Sequence, residues 1–247
     1  MKASSRERLS RGLFVLPTLF TVGNLFCGYL SIWASIRGTF ETAAALVIGA
    51  AVLDALDGRI ARLTNSMSAF GEQYDSLADL VSFGVAPAVL AYSWGLADFA
   101  RVGWLASFLF VVCASMRLAR FNIQTKVVDK RFFVGLPTPA AAATIVTLVL
   151  ATPDRLVSRL WMGGLLVLTI VVSYLMISTI RYRSFKDLDL RRRRPAWILP
   201  LIAAVFAVIG FAPKIALLTF ALTFAASGPV GKLASFLGRK PQDAPAA

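Results

Sequence analysis

Leu53 to Asp79 reads LDALDGRIARLTNSMSAFGEQYDSLAD, and it sets four carboxylates, Asp54, Asp57, Asp75 and Asp79, among long apolar runs. A carboxylate inside a membrane costs about 2.5–3.5 kcal/mol on insertion scales, so four deep, unpaired ones would cost roughly 10 kcal/mol. Cations, a watery cleft, or both must offset that. At helical spacing Asp54 and Asp57 are i,i+3 neighbours and Asp75 and Asp79 are i,i+4 neighbours, so each pair shares one helix face and two helices can present the acids to one another. Gly58 lies one turn after Asp54, Ala61 one turn after Asp57, and Gly71 one turn before Asp75, which lets a ligand approach the backbone. Carboxylate oxygens suit hard divalent ions, and the absence of histidine excludes a zinc–histidine site. Two such ions about 3.5–4 Å apart clamp both oxygens of an in-line displacement at phosphorus. The residues therefore point to phosphoryl chemistry. The competing reading pairs the acids with Arg59 and Arg62 at a helix end among headgroups, but two arginines cannot neutralise four clustered acids.

Composition assigns the class: 57% hydrophobic and only 16% charged residues imply an all-α polytopic membrane protein. The net charge of +13 does not indicate nucleic acid, because no separate basic domain exists. The arginines and lysines lie between apolar runs and read as topology signals and contacts to anionic membrane lipids. Cys27 and Cys113 fall inside apolar segments and imply neither a disulfide framework nor a metal cluster.

Hydropathy and breakers predict spans near 13–36, 42–63, 71–95, 99–119, 138–152, 160–180, 196–211 and 213–228, about eight in all, the last two short. The chain then divides into a basic cytoplasmic arm (1–12), a catalytic transmembrane core (13–183), a basic loop (184–195), an extra C-terminal pair of spans (196–228) and a tail (229–247). The first apolar run is too long for a signal peptide, so an uncleaved span is expected. With the N-terminus in the cytoplasm, only Arg37, Arg101, Arg155, Arg159 and Lys214 fall on the far side, as the positive-inside rule requires. That arrangement puts the Asp54 to Asp79 stretch at the cytoplasmic face of the cell membrane. It also puts Trp33, Trp94, Trp104 and Trp161 near the outer interface.

The pattern Asp54-x2-Asp57-Gly58-x2-Ala61-Arg62-x8-Gly71-x3-Asp75-x3-Asp79 resembles the complete signature of the CDP-alcohol phosphatidyltransferase family, with every fixed position filled. The resemblance implies a six-helix membrane core, here with two added C-terminal helices, and a homodimer. It also implies transfer of a phosphatidyl group from a CDP-linked lipid to an alcohol, with release of CMP. The stretches Val81 to Ala88, Arg117 to Asn122, and Phe133 to Ala140 resemble the family's membrane-integral, serine-using branch. So does Pro17 to Asn24, except that Thr18 stands where asparagine is expected. The resemblance covers about residues 13–145.

The implied reaction moves the phosphatidyl group of CDP-diacylglycerol to the hydroxyl of L-serine, giving phosphatidylserine. In the implied site Asp54, Asp57 and Asp75 bridge two divalent cations, Mg2+ or Mn2+. Asp79 completes one cation's shell and takes the serine proton as catalytic base. Thr21, Asn24, Gly58, Arg62, Ser68 and Gly71 would contact CDP-diacylglycerol, with Ser68 equally suited to capping the third span. Arg117, Arg120 and Asn122 form a pocket suited to the serine carboxylate, Arg120 slightly favoured, although both arginines also suit headgroup anchoring. Gly135 to Pro139 reads as a turn that starts a helix. Rival readings are a family member using glycerol 3-phosphate, inositol phosphate or choline, and a cation or proton transporter with the acids as its pathway.

Overall fold

A computed structural model describes residues 5–63, 68–124, 132–183 and 212–237. Helix α1 (Ser5–Ile36) begins within the basic arm and runs without a break through the first apolar stretch. Gly38, at φ +76°, and Thr39, whose hydroxyl donates to the Ala34 carbonyl at 3.0 Å, reverse the chain into α2 (Phe40–Leu63). The two helices pack closely because α2 turns small residues toward α1 and the core: Ala43, Ala44 and Ala50 are buried completely. Ser31 on α1 adds a hydrogen bond to the Ala43 carbonyl at 2.8 Å.

Helix α3 (Ala69–Asp79) continues through a π-helical turn (Leu80–Val85), α4 (Ala86–Ala91), a second π turn (Tyr92–Leu96) and a 3-10 turn (Ala97–Phe99). Wide turns of this kind recur beside functional residues, and the first follows Asp79 directly. The chain reverses at Ala100, whose φ is +46°, into α5 (Ala100–Gln124). That reversal is tight: a Cβ at Gly103 would stand 1.9 Å from the Leu96 carbonyl oxygen, so only glycine fits.

Helix α6 (Thr138–Ala151) starts with proline in its first turn, as expected, after Gly135 at φ +81°. It is followed by α7 (Arg159–Ile177) and, after the undescribed segment, by α8 (Pro213–Leu237), which packs on α6. The expected basic loop 184–195 and the expected span 196–211 lie outside the described residues, as do residues 1–4 and 238–247.

Among the described residues, four helical stretches are long and apolar enough to cross a membrane: Thr18–Ile36, Ala69–Ile123 (which reverses at Ala100), Arg159–Ile177 and Pro213–Lys232. Thr138–Ala151 is apolar but shorter. Helix α2 is apolar only as far as Leu53, since its later turns carry Asp54, Asp57 and Arg59. The protein is thus a helical membrane protein.

The fold is helical, as expected, with one small addition: β1 (Phe132–Val134) and β2 (Arg181–Arg183) form a short antiparallel ribbon with Phe133 opposite Tyr182. Three-residue strands are too short to show period-two alternation in a sequence. Trp94 does not face outward as a belt residue would; it is buried, and its indole N–H donates to the Asp154 carbonyl at 2.8 Å. Leu156 N–H returns a bond to the Trp94 carbonyl, and Arg155 pairs with Asp98 at 3.0 Å, so the α6–α7 loop is tied to the end of the π turn. Trp33, Trp104 and Trp161 are exposed.

Candidate active site

Three of the four acids converge: carboxylate oxygens of Asp54, Asp75 and Asp79 all lie within 4.8 Å of one another. Asp54 comes from α2, whereas Asp75 and Asp79 come from α3, one turn apart on the same face. Asp57, only 6% exposed, accepts a hydrogen bond from Thr21 Oγ1 on α1. The cluster is thus three carboxylates plus one held beside them by α1.

Helix α1 also reaches the trio. Asn24 is fully buried, and its Nδ2 donates to Asp79 Oδ1 at 3.1 Å. Ser82, in the π turn after Asp79, donates to the Asn24 backbone carbonyl at 2.9 Å. Glycine at residue 28 permits this closeness, because a Cβ there would lie 2.4 Å from Ser82 Oγ. Thr21 and Asn24, expected at the nucleotide, are therefore seen holding two of the carboxylates.

The donor set fits a divalent cation. It consists of carboxylate oxygens, which suit magnesium or manganese. Asp75 Oδ1 is buried without a hydrogen-bond partner among the described residues, as is Asn24 Oδ1. An orphaned buried acceptor is costly, and a cation beside Asp75 would satisfy it. Like charges this close also repel strongly in a poorly solvated site unless a cation stands among them.

Among the residues expected at the lipid donor, Ser68 is the N-cap of α3, its Oγ accepting from Gly71 N–H at 3.0 Å. A Cβ at Gly71 would come within 3.1 Å of that oxygen, so the glycine keeps room for the cap. Gly58 is exposed on α2, and the side chain of Arg62 lies outside the described residues.

The three residues expected at the serine carboxylate take different positions. Arg117 on α5 is buried, donates to Thr138 Oγ1 at 3.4 Å, lies 5.1 Å over the Phe121 ring, and acts electrostatically on Asp79. Arg120 donates to the Ile177 carbonyl at 3.0 Å, at the end of α7, where helix carbonyls lack intrahelical donors. Asn122 donates to Ser76 Oγ at 2.9 Å and so joins α5 to α3 between two of the acids.

Ser76, Ser82 and Thr138 were missed in the sequence. Ser76 and Ser82 flank the aspartates closely enough to have been suspected. Thr138 lies within Phe133 to Ala140, a stretch that carries the resemblance, but reads there only as part of the turn that starts a helix.

Residues 14–177 match the family model described as CDP-alcohol phosphatidyltransferase. A protein of Helicobacter pylori (strain J99), "CDP-diacylglycerol--serine O-phosphatidyltransferase", is 40% identical over 78% of this chain and 82% of its own length. A Mycobacterium leprae protein of the same name is 35% identical over 91% of this chain and 76% of its own. "Archaetidylserine synthase" of Methanothermobacter thermautotrophicus is 41% identical over 68% and 69% respectively. With the family model spanning most of the chain, and the carboxylate cluster assembled from its signature residues, the chain belongs to the CDP-alcohol phosphatidyltransferase family.

Proposed function

We propose that this chain transfers the phosphatidyl group of CDP-diacylglycerol to the hydroxyl of L-serine, giving phosphatidylserine and CMP. The observation that carries this reading is the convergence of Asp54, Asp75 and Asp79, in a chain whose relatives' names share serine as the acceptor. Two divalent cations, Mg2+ or Mn2+, held by Asp54, Asp57, Asp75 and Asp79, would neutralise the donor's diphosphate and stabilise the departing oxygen.

The chain's own residues supply the rest. Thr21 fixes Asp57, and Asn24 fixes Oδ1 of Asp79, leaving the other oxygen of Asp79 to take the serine proton. A serine hydroxyl is a weak nucleophile until that proton is removed. Serine Oγ then bonds to the phosphatidyl phosphorus, the P–O bond to the cytidylyl phosphate breaks, and CMP leaves with the electron pair. Gly58, Arg62, Ser68 and Gly71 would contact the donor, while Thr21 and Asn24 act on it only through the carboxylates they hold.

On the acceptor side Arg117 holds the serine carboxylate, since it is the buried guanidinium that acts on Asp79. Arg120 and Asn122 support it by fixing α7 and α3. The proposal extends to eight spans with a six-helix core, a cytoplasmic site in the cell membrane, anionic lipids at the basic loops, and pairing of two copies.

An acceptor panel tests it. Detergent-solubilised protein given CDP-diacylglycerol should release CMP with L-serine and far more slowly with glycerol 3-phosphate, inositol phosphate or choline. Faster release with any of the other three overturns serine as the acceptor.

A further inference from the structure

Tyr182 is buried to 1% exposure although it lies on the short ribbon that follows α7, outside the apolar stretches. Its ring enters a notch on α8 that exists only because residue 228 is glycine. A Cβ there would fall 2.4–2.8 Å from the ring's tip. Its hydroxyl donates to the Ala225 carbonyl at 3.1 Å, and its ring lies 5.8 Å from that of Phe224. Burial pushes the phenol up to about 12, so it remains a donor across the physiological range.

The ribbon that Tyr182 anchors leads toward the carboxylates. Tyr182 pairs with Phe133 across the ribbon. Immediately after β1, Gly135 N–H donates to the Ile180 carbonyl at 2.8 Å and Leu136 N–H to the Leu175 carbonyl at 2.9 Å. A Cβ at Gly135 would sit 2.4 Å from the Met176 carbonyl oxygen, so this turn is pressed against the end of α7. Two residues after Leu136 comes Thr138, the oxygen to which Arg117 donates. Arg120, one turn on from Arg117, is bonded to Ile177 in the same place.

We infer that Tyr182 is a positioning residue for the acceptor step: seated in the Gly228 notch of α8, it holds the ribbon and the Gly135 turn, and through Thr138 sets Arg117 against Asp79. The last helix is then a brace for the acceptor side and not only a membrane span. This inference rests on the proposed role of Arg117 in holding the serine carboxylate.

Three variants are compared for serine KM, kcat and CDP-diacylglycerol affinity: Tyr182→Phe, Gly228→Ala and Arg117→Ala. Tyr182→Phe keeps the ring in its notch and loses one neutral hydrogen bond, so serine KM should rise about 3- to 10-fold. Gly228→Ala unseats the ring and should raise it further. In both, kcat at saturating serine and donor affinity should stay within about twofold of the parent, a split that general loosening of the fold would not produce. If Arg117→Ala raises serine KM and neither other variant does, the brace is refuted and the reading of Arg117 stands. If Arg117→Ala leaves serine KM unchanged, the reading beneath the inference has failed. Should Gly228→Ala not fold, Tyr182→Phe decides alone: normal serine KM in that variant refutes the inference.

Discussion

Asn24→Ala separates two roles for a buried residue on α1. The substitution removes the amide that donates to Asp79 Oδ1 at 3.1 Å and leaves the Ser82 bond to the residue 24 backbone carbonyl in place. A hydrogen bond to a charged group is worth about 1.5–3 kcal/mol. If that bond serves to hold Asp79 for proton removal, its loss lowers kcat by about 10- to 150-fold. CDP-diacylglycerol affinity should change by less than about threefold, a difference worth under roughly 1 kcal/mol. CMP release at saturating donor and serine gives kcat, and calorimetry in detergent gives donor affinity. Asn24→Ser, with a shorter hydroxyl, should fall between the parent and Asn24→Ala. A normal kcat with a large loss of donor affinity would refute the reasoning and make Asn24 a nucleotide contact.

Other predictions follow from single contacts. Asp79→Asn should cut turnover by about 10²- to 10⁴-fold while most CDP-diacylglycerol binding survives, measured on the same purified sample; near-normal turnover would mean that another group takes the proton. Chelation should abolish CMP release, and magnesium or manganese should restore it; full activity in excess chelator would remove the metal-bridged reading of the aspartates. Trp94→Phe loses the 2.8 Å bond to the Asp154 carbonyl and should lower stability by about 0.5–1.5 kcal/mol, seen by thermal unfolding in detergent, with serine kinetics unchanged. Gly135→Ala forces a side chain onto φ +81° and against the Met176 carbonyl, and should destabilise the protein by about 1–3 kcal/mol in the same assay.

The helical membrane class was legible because apolar runs of membrane length stand between basic loops, a one-dimensional signal that needs no knowledge of packing. The carboxylates were legible because helical spacing fixes which side chains share a face. Their division into a trio with Asp57 beside Thr21 was not, since it depends on where α1 crosses α2 and α3, and that crossing is set by Gly28 against Ser82. The arginines of α5 show the same limit. Spacing puts Arg117 and Arg120 a turn apart, but only the end of α7 decides that Arg120 meets a helix carbonyl while Arg117 turns to Thr138 and the acids. The β1–β2 ribbon and the burial of Trp94 each depend on contacts between segments far apart in the chain, and local pattern carries no trace of them.

The most direct test of the central claim is to measure CMP and phosphatidylserine together, after mixing purified protein with CDP-diacylglycerol, L-serine and magnesium or manganese. The account predicts that both products appear in equal amounts, only when serine is present, and not in the Asp75→Asn variant, whose trio is broken. Equal CMP release with and without serine, or undiminished phosphatidylserine from Asp75→Asn, would contradict it.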